Sequence, residues 1–135
     1  MLGIKQIYND LGNAMKDVCD KLYSRSRPKS VDVKVDSYIV VDAPYSIRNN
    51  EMNDDGSFND YTTTVQIRIY VRDKAAARNP NKFNLDVMDE KVKAVLGKFP
   101  IATENIIVTK PRVAIQGDDG DGFSVVIVQG RLRTR

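Results

Sequence analysis

Residues 62–73 read TTTVQIRIYVRD, and within them Val65, Ile67, Ile69 and Val71 alternate strictly with Thr64, Gln66, Arg68, Tyr70 and Arg72. A period of two sends successive side chains to opposite faces of an extended chain. The stretch therefore predicts a β-strand whose apolar set meets a core and whose polar set, Arg68 and Tyr70 included, faces water or a partner. Such a strand needs further strands beside it and an apolar layer over it. The rest of the chain has to supply both.

Two segments predict the covering layer. From about Leu2 to Tyr23, the residues Ile4, Ile7, Tyr8, Leu11, Met15, Val18, Cys19 and Leu22 recur at steps of three and four, which is one face of an α-helix. Lys5, Asn9, Lys16, Asp20 and Lys21 lie on the other face, and Asp17 and Lys21 form an i, i+4 pair. Gly12 sits mid-helix at a cost of about 1 kcal/mol against alanine, and Pro28 stops any helix. The second helix follows the turn Asn79-Pro80-Asn81. Asn84 is its N-cap, Asp86 and Asp89 suit the positive end of the helix dipole, and Leu85, Met88, Val92, Val95 and Leu96 give the apolar face. Gly97 is the C-cap and Pro100 ends the segment.

The partner strands are read as follows. A basic connector, Ser24 to Ser30, carries Arg25, Arg27 and Lys29. Val31-Asp32-Val33-Lys34-Val35 alternates and predicts a half-buried strand, which Tyr38–Val41 continues after a slip of parity near Asp36 and Ser37, as one bulged strand or two. Residues 43–61 hold Pro44, Asn49, Asn50, Asn53, Asp54, Asp55 and Gly56 and predict a long polar loop between antiparallel strands. Residues 105–115 form a further strand that Pro111 marks as an edge or a bulge. Gly117 to Gly122 predicts a hairpin turn into Phe123–Val128, where Phe123, Val125 and Ile127 alternate with Ser124, Val126 and Val128 and both faces are partly buried. The order is α-β-β-α-β-β. We expect one α+β domain over residues 1–135, with a mainly antiparallel four-stranded sheet and both helices on one face.

Composition narrows the chemistry. The chain has 135 residues, enough for one core without metal or disulfide help, and its formal net charge of +3 is a weak argument for nucleic acid. It has no histidine and one cysteine, which excludes histidine triads, histidine bases, an intrachain disulfide and a thiolate metal cluster built from one chain. Cys19 falls in the helical apolar stripe and reads as a buried thiol. Lys5, Asp10, Lys16 and Asp17 break the N-terminal apolar residues, so no signal-peptide core is expected, and no apolar run is long enough to predict a membrane span. Asn53-Asp54-Asp55-Gly56 and the cluster Asp118 to Gly122 lack the twelfth-position carboxylate of a calcium loop and read as turns. Glu51 and Asp54 are paired loop carboxylates that read as solvated rather than catalytic. No catalytic residue, metal site or cofactor is expected. Arg131, Arg133 and Arg135 alternate on a strand-like tail and can share one face to meet phosphates or an acidic partner.

Taken with this order of elements, the amphipathic first helix, the hairpin with its 43–61 insertion, the TTTVQIRIYVRD strand, the helix NLDVMDEKVKAVLGKF and the terminal hairpin IIVTKPRVAIQ…GFSVVIVQGRLRTR, the chain resembles the tail terminator (tail completion) proteins of long-tailed bacteriophages. Phage neck and head–tail joining proteins share parts of the plan. The resemblance implies a structural virion protein, made in the host bacterial cytoplasm. Its copies would form a homo-oligomeric ring, usually hexameric, that caps the tail tube and joins it to the head–tail connector. It implies binding alone, with the tail tube protein and the connector or neck protein as partners, and no membrane. The expected oligomer or partner interface comprises Arg48, Asn50, Glu51, Asp54, Asp55 and Phe58 of the loop, Arg68 and Tyr70 of the strand, and Arg131, Arg133 and Arg135 of the tail. The alternative is a nucleic-acid-binding or adaptor module of a phage or bacterium. A small carboxylate-based hydrolase stands third.

Overall fold

The computed structural model describes residues 3–19, 21–29, 31, 34–43, 46, 48–52, 58–74, 83–119 and 121–134. In chain order the elements are helix α1 (Ile4–Met15), strands β1 (Leu22–Ser24), β2 (Ser37–Asp42), β3 (Arg48–Met52) and β4 (Phe58–Arg72), helix α2 (Leu85–Leu96), and strands β5 (Ile101–Ala102), β6 (Ile106–Asp118) and β7 (Phe123–Thr134). The α+β class is as the patterning predicts. The expected four strands are too few: among the described residues seven join in one sheet, in the order β1-β2-β4-β7-β6-β5, with β3 also paired to β4. The sheet is mixed, because β1 runs parallel to β2 while the other pairs are antiparallel.

Strand β4 organises the sheet. One of its edges is taken by β7, from Thr62↔Arg133 to Arg72↔Phe123. Two strands lie end to end along the other edge, β2 from Ser37↔Val71 to Asp42↔Gln66 and β3 from Arg48↔Thr62 to Met52↔Phe58. Pairing with β7 begins at Thr62, and the buried Tyr61 still donates its N–H to Thr134 Oγ1 of β7 at 2.9 Å, so the two-stranded arm beyond the end of β7 comprises residues 50–52 of β3 and 58–60 of β4. Within the expected loop at 43–61, Arg48–Met52 and the start of β4 from Phe58 are therefore paired strands, and residues 44, 45, 47 and 53–57 lie outside the described residues. Its polar composition hides β3, which forms because the long β4 offers it an unpaired edge, a tertiary effect that outweighs local β-propensity.

Both helices cover one face. Ile7, Leu11 and Met15 of α1 and Met88 and Val95 of α2 join Ile39, Val41, Val65, Ile67, Ile69, Val71, Ile106, Val108, Val126, Val128 and Leu132 in one buried cluster. Fully burying a side chain of this size contributes about 1.5–3 kcal/mol. Helix α2 is capped as predicted: the Val87 N–H donates to Asn84 Oδ1 at 3.4 Å and the Gly97 N–H to the Lys93 carbonyl. Helix α1 is shorter than its periodicity. After Met15 the chain turns, Val18 and Cys19 are buried beyond the helix, and Leu22–Ser24 pairs with Ile39–Val41 as a parallel edge strand. Asp17 meets Lys98 at 2.6 Å, so the predicted helical pair with Lys21 is replaced by a link to the end of α2.

The opposite face carries a second, aromatic cluster of Tyr38, Val40, Tyr70, Phe123 and Val125, against which Tyr23, Val31 and Val35 pack. Val31 and Val35 belong to the connector that follows β1, which corrects their assignment to a strand. The alternation there reflects a segment lying on an apolar floor, and Asp32 and Val33 fall outside the described residues. Arg72 Nε donates to the Val35 carbonyl at 2.9 Å, Arg68 Nη2 donates to the Arg25 carbonyl, and Arg27 pairs with Asp119 and Asp121 in the β6–β7 turn. Tyr38 stacks on Tyr70 with ring centroids 4.6 Å apart and meets Tyr23 and Phe123 edge-on.

Burial, helped by the neighbouring Tyr70, pushes the Tyr38 hydroxyl up to about 12 from 10.0. A raised value means the folded state holds the proton longer than the unfolded chain, so the contribution is full below pH 10.0 and is lost as pH rises towards about 12. Alkaline unfolding followed by near-ultraviolet circular dichroism is expected to show stability falling across that window, with a shallower fall in Tyr38→Phe. An identical pH profile in the variant would remove Tyr38 as the cause.

Candidate assembly surface

Residues directly opposite in a ladder share a face, so the pairings place the polar side chains of the uncovered half of the sheet in rows. Thr62 lies between Arg48 of β3 and Arg133 of β7. Thr64, Arg131 and Thr109 make the next row across β4, β7 and β6, and Gln66, Gln129 and Arg112 the one after it. Neighbouring strands are about 4.8 Å apart and same-face residues along a strand about 7 Å. Four arginines thus stand within a few strand spacings on one side of the sheet, among hydroxyls and amides. This is the same face as the aromatic cluster, at the end the connector leaves open.

The electrostatics are uneven. Arg48, Arg112 and Arg131 are exposed. Arg133 is 66% exposed and lies 3.6 Å from Asp60, a separation at which a solvent-facing pair contributes little. Thr63, on the other side of the strand, donates to the Ser46 carbonyl at 2.6 Å and fixes the chain where β2 gives way to β3. Ser46, Arg48, Thr62, Thr64 and Arg131 line a shallow depression of about 230 Å3. Guanidinium groups in such a setting can bind carboxylates or phosphates through two parallel hydrogen bonds without losing their charge.

The residues expected at an interface fall into three sets. Arg48, Arg131 and Arg133 come together on this surface. The backbones of Asn50, Glu51 and Phe58 belong to the arm, while Asp54, Asp55 and Arg135 lie outside the described residues. Arg68 and Tyr70 are corrected. Tyr70 is 4% exposed in the aromatic cluster, and Arg68 is turned to Asp42 at 3.6 Å and to the Arg25 carbonyl. The connector covers them, so they serve the interior of the molecule.

Arg112 was not among the expected residues. Its parity is hidden by a bulge: Thr109 opposes Arg131 and Arg112 opposes Gln129, so Lys110 and Pro111 together face Gly130. Lys110 takes a positive φ of 54° there. Pro111 signals the bulge in the sequence, and the resulting shift of face follows from it.

The acidic cluster at the β6–β7 hairpin is turn chemistry, as predicted. Asp119 Oδ1 accepts from the Asp121 and Phe123 N–H groups at 2.7 and 3.1 Å, and Gly117 and Gly122 supply positive φ. Cys19 is buried, with Sγ 3.5 Å from Ser37 Oγ.

No protein-family model and no curated protein matches the chain. Several solved structures match the chain, and one of them aligns over 100% of this chain and 97% of its own, with a TM-score of 0.60 and 13% sequence identity. Its name is a serial designation that states no activity. At that identity the likeness shows a shared fold and carries nothing about function.

Proposed function

We propose that this protein is a structural subunit of a bacteriophage virion, whose copies form a ring that caps the tail tube and joins it to the head–tail connector. The observation that carries this reading is the pairing of two surfaces on one sheet: a projecting β3–β4 arm and an open basic half-face. In sequence, residues 51–55 hold Glu51, Asp54 and Asp55, the last two outside the described residues, and the half-face holds Arg112, Arg131 and Arg133. Complementary charges at two different places on a subunit favour a head-to-tail contact, which closes into a ring when the rotation per subunit divides a full turn. The function is binding, with no cofactor. A hexamer follows from the resemblance to tail terminators, and the tail tube protein and the connector are its partners.

Charge reversal tests this reading. Light scattering is expected to give a mass near six times 15.2 kDa for the natural chain in solution. Arg131→Glu with Arg133→Glu should lower it to that of the single chain, as should Asp54→Lys with Asp55→Lys. A chain carrying all four changes should regain the ring. A mass that ignores every one of these changes would sink the arm-to-face contact.

The arginine rows also favour a second reading, a nucleic-acid-binding module. It requires oligonucleotide affinity that falls steeply with salt and drops further in Arg112→Glu and Arg131→Glu. Binding that is weak at low salt would dismiss it.

A further inference from the structure

The outer edge of β6 is the strongest unexplained feature of the fold. Strand β5 pairs with it only at Ile107 and Val108, and among the described residues no strand takes the edge beyond them. Sheet edges are usually blunted by proline, lysine or a bulge. Here the blunting is confined to Lys110 and Pro111. The five residues that follow, Arg112-Val113-Ala114-Ile115-Gln116, are extended and exposed. Val113 and Ile115 oppose Val128 and Val126, so they stand on the helix side of the sheet, yet they are 42% and 77% exposed. The main packing of α2 is on β4 and β7, which leaves this margin of the helix side open. On the other side Arg112 stands in a row with Gln129, beside Arg131. The edge thus offers a main-chain ladder with an apolar flank on one side and a cationic flank on the other.

We infer that residues 112–116 of β6 form a docking edge for an extended segment of another protein in which apolar and acidic residues alternate. An added strand would extend the ladder. Its apolar residues would lie beside Val113 and Ile115 and a carboxylate beside Arg112, with Arg131 one row further along and one strand further in. Charge complementarity selects this occupant: a basic or uniformly polar strand would leave one flank unmatched. Asp118 and Asp119 at the turn disfavour acid beyond Gly117 and so bound the site at that end. The inference does not rest on the ring reading, although Arg112 and Arg131 belong to the half-face that reading uses.

The test uses isotope-labelled protein and a capped hexapeptide of alternating glutamate and valine, with a lysine–valine peptide of the same length as control. Amide shifts and hydrogen-exchange protection should appear along 112–116 with the acidic peptide. Affinity should fall tenfold or more in Ile115→Lys and in Arg112→Glu, both at exposed positions where the fold is expected to persist. Equal binding of the lysine peptide, or protection at β1 in place of β6, would overturn the inference. So would concentration-dependent protection of 112–116 without peptide, since a second copy of the chain would then own the edge. Repeating the titration in the Arg133→Glu variant separates the two ideas: loss of the ring with peptide binding kept leaves this inference standing, and loss of peptide binding with the ring kept leaves the assembly reading standing.

Discussion

Replacing Gly130 with alanine is expected to cost about 1–3 kcal/mol of folding stability, and valine more, through overpacking. A Cβ at this position would lie 2.6 Å from Val108 Cγ1 and 3.0 Å from Phe99 Cε2. Val108 is fully buried and β-branched, so it has little rotamer freedom with which to retreat. The glycine lets the Phe99 ring and Val108 close over β7 directly opposite the Lys110–Pro111 bulge. Urea unfolding should show a lower midpoint with an unchanged slope. An unaltered midpoint in Gly130→Ala would mean that β6 gives way more easily than its burial implies.

A second large loss is expected at Asp10. This carboxylate is 8% exposed and joins α1 to the turn between β5 and β6. Gln6 Nε2 donates to Oδ1 at 2.7 Å, while Thr103 Oγ1 and Asn105 Nδ2 donate to Oδ2 at 2.8 and 3.2 Å. Thr103 Oγ1 in turn accepts from the N–H groups of Asn105 and Ile106, both at 3.1 Å. Removing the acceptor strands three half-buried donors, and a buried donor left unpaired costs about 1–3 kcal/mol. Asp10→Ala should therefore destabilise by about 2–3 kcal/mol. Asp10→Asn, which keeps one acceptor oxygen, should lose less. Equal losses in the two variants would show that packing, and not hydrogen bonding, sets the cost.

The parts of this fold that were legible in advance are those where one physical signal acts alone. Strand β4 is written in its alternation, α2 in its spacing together with Asn84, and the final hairpin in Gly117 and Gly122. The misreadings arise where tertiary contacts override a local pattern. Val18, Cys19 and Leu22 keep helical spacing, but burial beyond α1 and pairing with β2 take them out of the helix. Val31 and Val35 alternate like a strand because they rest on tyrosines. Strand β3, RNNEM, has almost no β-propensity and forms where β4 offers an edge. At the candidate surface, Arg131 and Arg133 share a face because they are two apart on a strand. Arg68 and Tyr70 obey the same rule, yet the connector covers them, and no pattern within β4 records what crosses above it.

The pairing of β4 with β7 has a consequence for how the chain reaches this state. The two central strands join residues 62–72 to residues 123–133. Contacts so distant in sequence require a long loop to close before they return any stabilisation, which places folding among the slower, millisecond-to-second class. The β3–β4 pairing, which begins at Met52 and Phe58, can form early from local contacts. During synthesis it must then wait, with the long inner edge of β4 bare, until β7 has left the ribosome. For that interval the segment that anchors the finished sheet is also its most adhesive surface.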